Sequence, residues 1–244
     1  MITKDVAQYA QMQWPEHRVS ITECSKSDQG SSLVKDDSIV YHFDAISHSL
    51  YRRKVKPSSA DGLAITDKHV SLIEFKTGFM DHITKENFDV NKAKCDYIEN
   101  EVCPGYFKLF EKKRKLEKKQ LIDSVHLKAI ESYITLEKHI LPNCPDGGRK
   151  RKLVLVVVLD ADPVDAMEDT LSGLATSQPK SESPKTPTPK TQPKKNAISS
   201  VRNALKFLCG QEDACGQPYY YDRIEVMSAS DFRRRKKEFV QDAC

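Results

Sequence analysis

A short apolar run in the second half of the chain constrains the fold more than any other feature. The stretch KLVLVVVLD, from Lys152 to Asp160, is rich in β-branched residues and apolar at every position between its charged ends. Successive side chains of a strand point to opposite faces, so a strand of this composition buries both faces. Burial of both faces requires helices on either side of the sheet. The run therefore predicts an inner strand of an α/β domain, and at this length it is far too short to span a bilayer.

The segments around this strand support the same fold class. Apolar spacing and turn residues predict a hairpin from strands 61–66 and 70–76, helices at Tyr106–Ile140 and Asn196–Cys209, a strand at Tyr219–Met227, and a basic final helix at Asp231–Val240 that Ser230 or Asp231 would cap. We therefore predict an α/β fold with a central mixed sheet and helices flanking both of its faces. Its strands should lie near residues 61–66, 70–76, 153–160 and 220–227.

Composition shifts set the predicted domain boundaries. Residues 1–36 are polar and weakly patterned, so we interpret them as an N-terminal segment that precedes a single domain at 37–244. Residues 172–195 consist mainly of Ser, Thr, Pro, Lys and Gln, which cannot bury apolar surface, and they predict a disordered insertion within that domain. Between residues 37 and 53, apolar residues recur at helical spacing and favour an amphipathic helix. A strand from Ile39 to Phe43 is the competing interpretation.

Cysteine usage and charge exclude several classes of protein. The 244 residues are 39% hydrophobic and 30% charged, enough to bury a core, and the net charge of +4 permits a nucleic-acid partner without requiring one. The seven cysteines are odd in number and form no Cys-x-x-Cys pair, which argues against a zinc ribbon or a dense disulfide framework. The N-terminus has no apolar core long enough for a signal peptide. We expect free thiols, a cytoplasmic protein and no membrane partner, and nothing in the sequence indicates a homo-oligomer.

A Glu-x-Lys triplet inside the predicted hairpin is the strongest functional signal. The triplet by itself is common, since Glu111–Lys113 and Glu117–Lys119 also carry it on a charged, solvated helix. Glu74-Phe75-Lys76 instead ends an apolar strand, where burying charge is costly unless the charges are paired or bind something. Asp61, at the start of the preceding strand, supplies a second carboxylate.

The register of the hairpin decides whether these two carboxylates meet. If the hairpin closes through a two-residue turn at Asp67-Lys68, or through a four-residue loop from Thr66 to His69, paired positions sum to 135. Asp61 then lies opposite Glu74 on the same face, with Cβ atoms roughly 5 Å apart. A three-residue loop would place Asp61 opposite Phe75, on the wrong face, unless a bulge corrected the register.

Two adjacent carboxylates repel each other, and a divalent cation relieves that repulsion. Hard oxygen ligands suit Mg²⁺ or Mn²⁺, which lower the pKa of a bound water and stabilise charge on a phosphate. Lys76 shares the face of Glu74, so it would orient the attacking water or neutralise the charge that develops on the phosphate. The competing interpretation of Asp61, Glu74 and Lys76 is an ordinary polar hairpin held by a structural salt bridge.

The segment PSSADGLAITDKHVSLIEFKTG, residues 57–78, resembles the core of the PD-(D/E)XK superfamily of restriction-endonuclease-like nucleases. The resemblance implies a restriction-endonuclease-like core of αβββαβ order, with the Asp at the start of one strand and the Glu-x-Lys on the next. It further implies that Asp61 and Glu74 are metal ligands, that the Phe75 carbonyl is a third ligand, and that Lys76 is the catalytic lysine.

The same resemblance assigns two further elements and an acidic residue, and the residues by themselves suggest further candidates for phosphate contact. The apolar strand at 153–159 would be a later core strand, and the helix around residues 128–132 would be the helix that follows the motif. Lys128 and Ser132 are four residues apart and share a helix face, where they would either contact phosphate or remain solvated. Asp44 lies in the segment where some family members carry an extra acid. The basic run 233–237 is either a phosphate-contact patch or a solvated helix end.

The predicted function is a metal-dependent nuclease that uses Mg²⁺ or Mn²⁺ to hydrolyse phosphodiester bonds of nucleic acid, with DNA preferred over RNA as the expected substrate. The alternative is a nuclease-like fold without turnover that acts as a nucleic-acid- or protein-binding module. The presence of Asp, Glu and Lys together favours the enzyme, since decay of an active site usually removes one of them. The sequence shows no separate DNA-reading domain, so it does not predict sequence-specific restriction.

Overall fold

The computed structural model of the chain describes residues 5–28, 30–51, 56–78, 103–144, 151–160, 197–209 and 220–241. Within these residues, six strands form one sheet whose spatial order follows the chain. The strands are β1 (Arg18–Ser20), β2 (Ile39–His42), β3 (Gly62–Ile65), β4 (His69–Lys76), β5 (Lys152–Leu159) and β6 (Arg223–Ser228). The predicted class, an α/β fold with a mixed sheet, is confirmed.

The sheet changes from antiparallel to parallel at β4. The pairs β1–β2, β2–β3 and β3–β4 are antiparallel, whereas the pairs β4–β5 and β5–β6 are parallel. Parallel neighbours need a long crossover connection, and a helix lies in each of these two crossovers. The carboxyl ends of β4 and β5 therefore lie side by side, with Lys76 paired to Leu159.

Helices cover both faces of the sheet, as predicted. They are α1 (Val6–Gln13), α2 (Ile21–Cys24), α3 (Phe43–Leu50), α4 (Cys103–Thr135), α5 (Ala197–Leu205) and α6 (Ala229–Arg235), with short π- or 3₁₀-helical turns at Pro15–His17, Leu136–Ile140, Leu141–Asn143, Lys206–Leu208 and Lys236–Glu238. Buried side chains of α1, α3, α4 and α5 share one hydrophobic cluster with one face of the sheet. Those of α2 and α6 share a second cluster with the other face. The domain therefore has three layers, with the sheet in the middle.

Strand β5 is buried on both faces, as its composition predicts. Its side chains alternate between the two clusters, with Leu155 and Val157 in the first and Val154 and Val156 in the second. Every residue of the range 154–159 is at most 1% exposed. A polar side chain anywhere in this range would lose its contact with water, which accounts for the uninterrupted apolar sequence.

Residues 37–53 contain both of the structures that the sequence left in competition. Ile39–His42 form β2, and α3 begins only at Phe43. The His42 ring marks the change, because its Nδ1 accepts a hydrogen bond from the Ala45 N–H at 3.1 Å and caps the helix. The prediction of helix is wrong before Phe43, since main-chain pairing with β1 and β3 outweighs the helical spacing of the apolar residues there.

The final helix begins earlier than predicted. It starts at Ala229, and Ser228 caps it by accepting a hydrogen bond from the Asp231 N–H at 3.1 Å. The predicted caps, Ser230 and Asp231, instead lie in the first turn. Strand β6 ends at this same serine, so strand and helix follow each other without a loop.

The N-terminal segment packs into the same sheet and the same two hydrophobic clusters as the residues that follow it. Strand β1 extends the sheet by pairing with β2. Val6 and Ala10 of α1 are fully buried in the first cluster, and Ile21 of α2 is fully buried in the second. Asp5 accepts two hydrogen bonds, of 2.8 and 3.0 Å, from the guanidinium of Arg151. Each of these elements buries only a few apolar side chains, so the segment looked polar in the sequence.

The predicted insertion at 172–195 lies outside the described residues. Among the residues that the structure describes, no helix is both long and apolar enough to cross a membrane. Cys24, Cys144 and Cys209 carry free thiols, as expected.

The central strand generates a stability prediction. Leu155→Ala should lower the free energy of unfolding by roughly 2–5 kcal/mol, because it leaves a cavity between β5 and the helices that cover it. Leu116→Ala is the matched control, since Leu116 is 55% exposed on α4, and it should change stability by less than about 0.5 kcal/mol. Urea unfolding followed by circular dichroism measures both, and equal losses would contradict the assignment of β5 to the core.

Candidate metal and catalytic site

The hairpin formed by β3 and β4 has the register that the site requires. Gly62 pairs with Ile73 and Ile65 pairs with Val70, so paired positions sum to 135. The turn between them is closed by a 2.9 Å hydrogen bond from the Thr66 N–H to the His69 carbonyl. Asp61 directly precedes Gly62, so this register brings it to the level of Glu74, at the end of the ladder.

Asp61 is held in place by its main chain as well as by its side chain. Its N–H donates to the Ile73 carbonyl at 3.0 Å, and its carbonyl accepts from the Phe43 N–H at 2.8 Å. Its Oδ2 accepts a 2.7 Å hydrogen bond from the Phe75 N–H. The carboxylate is therefore fixed against the side of β4, with Oδ1 directed to a different partner.

Glu74 is the only buried carboxylate among the described residues, with 1% of its surface exposed. It follows Leu72 on the face of β4 that α4 covers, whereas Phe75 points to the opposite face and meets the Phe232 ring edge-on at 5.8 Å. One oxygen of Glu74, Oε1, is buried and has no hydrogen-bond partner within the described part of the chain. A buried acid in this position is ionised only with a cation beside it and is otherwise protonated.

Lys128 of α4 supplies a cation to both acids at once. Its Nζ lies 2.9 Å from Glu74 Oε2 and 3.2 Å from Asp61 Oδ1. The two carboxylates therefore converge on one point, although 54 residues separate Lys128 from Glu74 in the chain. The salt bridge that the sequence offered as an alternative to a metal site exists, but a lysine from the helix makes it, and not a residue of the hairpin.

The ionisation of these groups follows from their burial and their mutual charges. Burial raises the pKa of Glu74 to about 8, and the nearby Asp61 carboxylate acts in the same direction, while the Lys128 ammonium opposes both. Burial alone would lower the pKa of Lys128, but the charges and hydrogen bonds of the two acids raise it well above its ordinary value. The ammonium stays protonated at neutral pH. When both acids are ionised, one ammonium leaves a negative excess that favours further positive charge.

Lys76 lies at the margin of the carboxylate pair. Its positive charge lowers the pKa of Glu74, so the two side chains are electrostatic neighbours on the same face of β4. Lys76 is half-buried, and within the described residues it forms no ion pair. It is therefore available to act on a bound group, in contrast to Lys128, which is already engaged by two carboxylates.

The main chain of Phe75 faces the Asp61 carboxylate. Its N–H donates to Asp61, and the N–H and carbonyl of one strand residue point to the same side of the strand. The Phe75 carbonyl is therefore directed to the side of β4 where Asp61 lies, past the end of β3. This direction suits the role of third oxygen ligand that the family resemblance implies for it.

Helix α4 also holds the loop that leads into Asp61. The Ser132 hydroxyl accepts a 2.7 Å hydrogen bond from the Ala60 N–H, and Glu131 accepts one from the Ser58 N–H. Ser132 is fully buried, so its hydroxyl supports the loop before Asp61 and does not lie on a solvated face. Its spacing of four from Lys128 placed both residues on one helix face, and that face is turned towards the loop and the hairpin.

Two other candidate groups from the sequence do not join the carboxylate pair. Asp44 Oδ1 accepts a 2.6 Å hydrogen bond from the Ser59 hydroxyl, in the loop before Asp61. The basic run at 233–237 is engaged in ion pairs, including contacts of Arg235 with Glu225 and Glu238, and of Lys236 with Asp36. Neutralisation by these partners weakens the run as a phosphate-contact patch.

The residues present fit a divalent cation with few protein ligands. Among the described residues, no three His, Cys, Asp or Glu side chains cluster closely enough to hold a metal ion by themselves. Mg²⁺ is commonly held by one or two carboxylates, with water and substrate phosphate completing its shell. Asp61 Oδ1, the Glu74 oxygens and the Phe75 carbonyl supply that kind of oxygen set.

Comparisons with known proteins add no assignment. No protein-family model matches the chain, and neither a curated protein nor a solved structure matches it.

The contacts of α4 with the loop generate a second prediction. Ser132→Ala should lower the free energy of unfolding by about 1–3 kcal/mol, because the buried Ala60 N–H loses its acceptor. Ser124→Ala is the matched control, since within the described residues the Ser124 hydroxyl bonds only to the Leu121 carbonyl of its own helix. This variant should cost about 0.5 kcal/mol or less. Chemical denaturation of the two variants tests this difference, and indistinguishable midpoints would count against a structural role for Ser132.

Proposed function

We propose that this protein is a metal-dependent nuclease of the PD-(D/E)XK type, which hydrolyses phosphodiester bonds of DNA, or less favourably of RNA, with Mg²⁺ or Mn²⁺. The observation that carries the proposal is the convergence of the Asp61 and Glu74 carboxylates on one cation, 3.2 and 2.9 Å from the Lys128 Nζ. A pair of acids that already converges on one positive charge has the geometry to bind a divalent cation in its place.

The arrangement of the sheet supports the restriction-endonuclease-like core. Antiparallel strands β2, β3 and β4 are followed by α4 and by β5, which pairs parallel with β4. This order is similar to the βββαβ part of the core that the resemblance implies, with the Asp just before one strand and the Glu-x-Lys at the end of the next. The chain departs from the pattern in one respect, because α3 lies between β2 and β3.

Each site residue has a distinct role in the proposed reaction. Asp61 and Glu74 would hold the cation, with the Phe75 carbonyl completing the protein ligands. A bound divalent cation supplies an activated water and stabilises charge on the phosphate. Lys76, at the margin of the acids and without an ion pair in the described residues, would orient that water or neutralise the transition-state charge.

The choice of nucleic acid as substrate rests on the chemistry of the site and on the charge of the chain. A carboxylate-bound divalent cation with a neighbouring lysine suits transfer at phosphorus, and the net charge of +4 does not repel a polyanion. Both properties apply equally to DNA and RNA, so the preference for DNA follows only from the resemblance.

One observation favours a second candidate function. The Lys128 ammonium occupies the point between the two acids, as it would in a nuclease-like fold that has replaced its metal with a salt bridge. Such a protein would bind nucleic acid or another protein without a metal and without turnover. Metal-dependent cleavage by the unmodified protein separates the two candidates.

The test of the nuclease is cleavage of single- and double-stranded DNA and RNA in the presence of Mg²⁺, Mn²⁺ or EDTA. Asp61→Asn, Glu74→Gln and Lys76→Ala should each lower the cleavage rate at least about 100-fold, since each removes a ligand or a charge that acts on the transition state. Lys76→Ala should leave Mn²⁺ affinity nearly unchanged, whereas the two carboxylate variants should weaken it.

Asp67→Asn and Lys68→Ala are the matched controls for these variants. They make the same kinds of change at exposed positions of the same hairpin, at the turn opposite the site, and should cut like the unmodified protein. If the unmodified protein cuts no form of nucleic acid with Mn²⁺, or if the controls lose as much activity as the site variants, the proposed function is wrong.

A further inference from the structure

The position of Lys128 has a consequence for how a metal enters the site. Its Nζ lies within hydrogen-bond distance of both acids, at the point where their oxygens converge. A Mg²⁺ ligand distance is about 2.0–2.1 Å, so an ion bound by Asp61 and Glu74 together would fall inside the space of this ammonium. Two cations cannot share that space, both for steric reasons and because like charges repel.

The side chain of Lys128 can leave without a change in the fold. It is 26% exposed, and a lysine stem has four rotatable carbons that let the ammonium swing to solvent. The helix itself need not move, because Ser132 and Glu131 anchor it to residues 58–60 independently of the ammonium. Glu74 Oε1, buried and without a hydrogen bond in the described part of the chain, remains as an oxygen that the lysine does not satisfy.

We propose that Lys128 is the resident cation of this carboxylate pair and competes with the divalent metal, which binds between Asp61 and Glu74 only when the ammonium withdraws. The lysine thereby holds the site assembled when no metal is bound, and it weakens metal binding by the strength of its own two contacts. The inference rests on the proposed function only in taking these two acids as the metal ligands.

The experiment measures Mn²⁺ affinity by isothermal titration calorimetry, without nucleic acid, on the full chain. Lys128→Met removes the charge but keeps the stem, and should tighten Mn²⁺ binding at least about tenfold, because two charged contacts no longer oppose it. Lys128→Arg retains a competing charge and should not tighten binding. Lys119→Met, an exposed lysine of the same helix, is the matched control and should bind Mn²⁺ like the unmodified protein.

Thermal stability supplies a second readout. In EDTA, Lys128→Met should melt roughly 10 °C below the unmodified protein, since the two acids lose the ammonium that both of them contact. Saturating Mn²⁺ should recover most of that loss, and the rise in melting temperature should exceed the rise in the unmodified protein. Adding Glu74→Gln to Lys128→Met should abolish both the affinity gain and the recovery.

A third measurement uses only the unmodified protein, so it does not require that a Lys128 variant folds. Acetylation of the unmodified protein, followed by mass spectrometry, should label Lys128 slowly in EDTA and several-fold faster with saturating Mn²⁺, while Lys119 reacts at one rate in both conditions. An unchanged Lys128 rate despite measurable Mn²⁺ binding would overturn the inference.

The outcomes separate this inference from the proposed function. If the unmodified protein cuts nucleic acid with Mn²⁺ but Lys128→Met binds Mn²⁺ no more tightly, the competition is wrong and the nuclease stands. If Lys128→Met binds Mn²⁺ more tightly but no form of nucleic acid is cut, the competition stands and the nuclease is wrong. If neither the unmodified protein nor Lys128→Met binds Mn²⁺, both are wrong.

Discussion

A carboxylate buried inside a three-layer domain is the constraint on which the rest of this end of the molecule depends. Glu74 is 1% exposed, and an ionised acid in such a place is tolerable only with a cation beside it. Lys128 supplies that cation, so α4 has to cross β4 where the Lys128 ammonium can contact the Glu74 carboxylate. The contacts of Ser132 and Glu131 with residues 58–60 then fix the loop that carries Asp61, and the second carboxylate is brought to the same ammonium.

The same three charged groups serve both a structural and a functional interpretation. As a salt bridge, they join the hairpin to the helix. As a metal site, the acids are the ligands, and the lysine ammonium occupies the position that the metal would take. The geometry is common to both, and the difference lies in the free energy of exchanging a monovalent ammonium for a divalent cation. Lys76, on the same face as Glu74 and outside the salt bridge, is the group that a purely structural role leaves unexplained.

Much of the fold followed from local patterns. The burial of β5 and the register of the β3–β4 hairpin were predicted correctly, because strand alternation and a two-residue turn act over a few residues. The prediction failed where pairing across the sheet decided the outcome. Ile39–His42 has helical spacing yet forms a strand between β1 and β3, and the polar segment before residue 37 contributes an edge strand and two helices with few buried side chains each.

The sequence by itself determined the register of the hairpin that brings Asp61 to the level of Glu74, because that hairpin closes within one turn. It could not determine which cation they meet. Lys76 is two residues away, and Lys128 lies 54 residues beyond Glu74 on a helix whose face is set by packing against the sheet. Only the tertiary structure decided that the distant lysine takes the position between the acids, since long-range ion pairing depends on where a whole helix is placed and leaves no periodic trace in the chain.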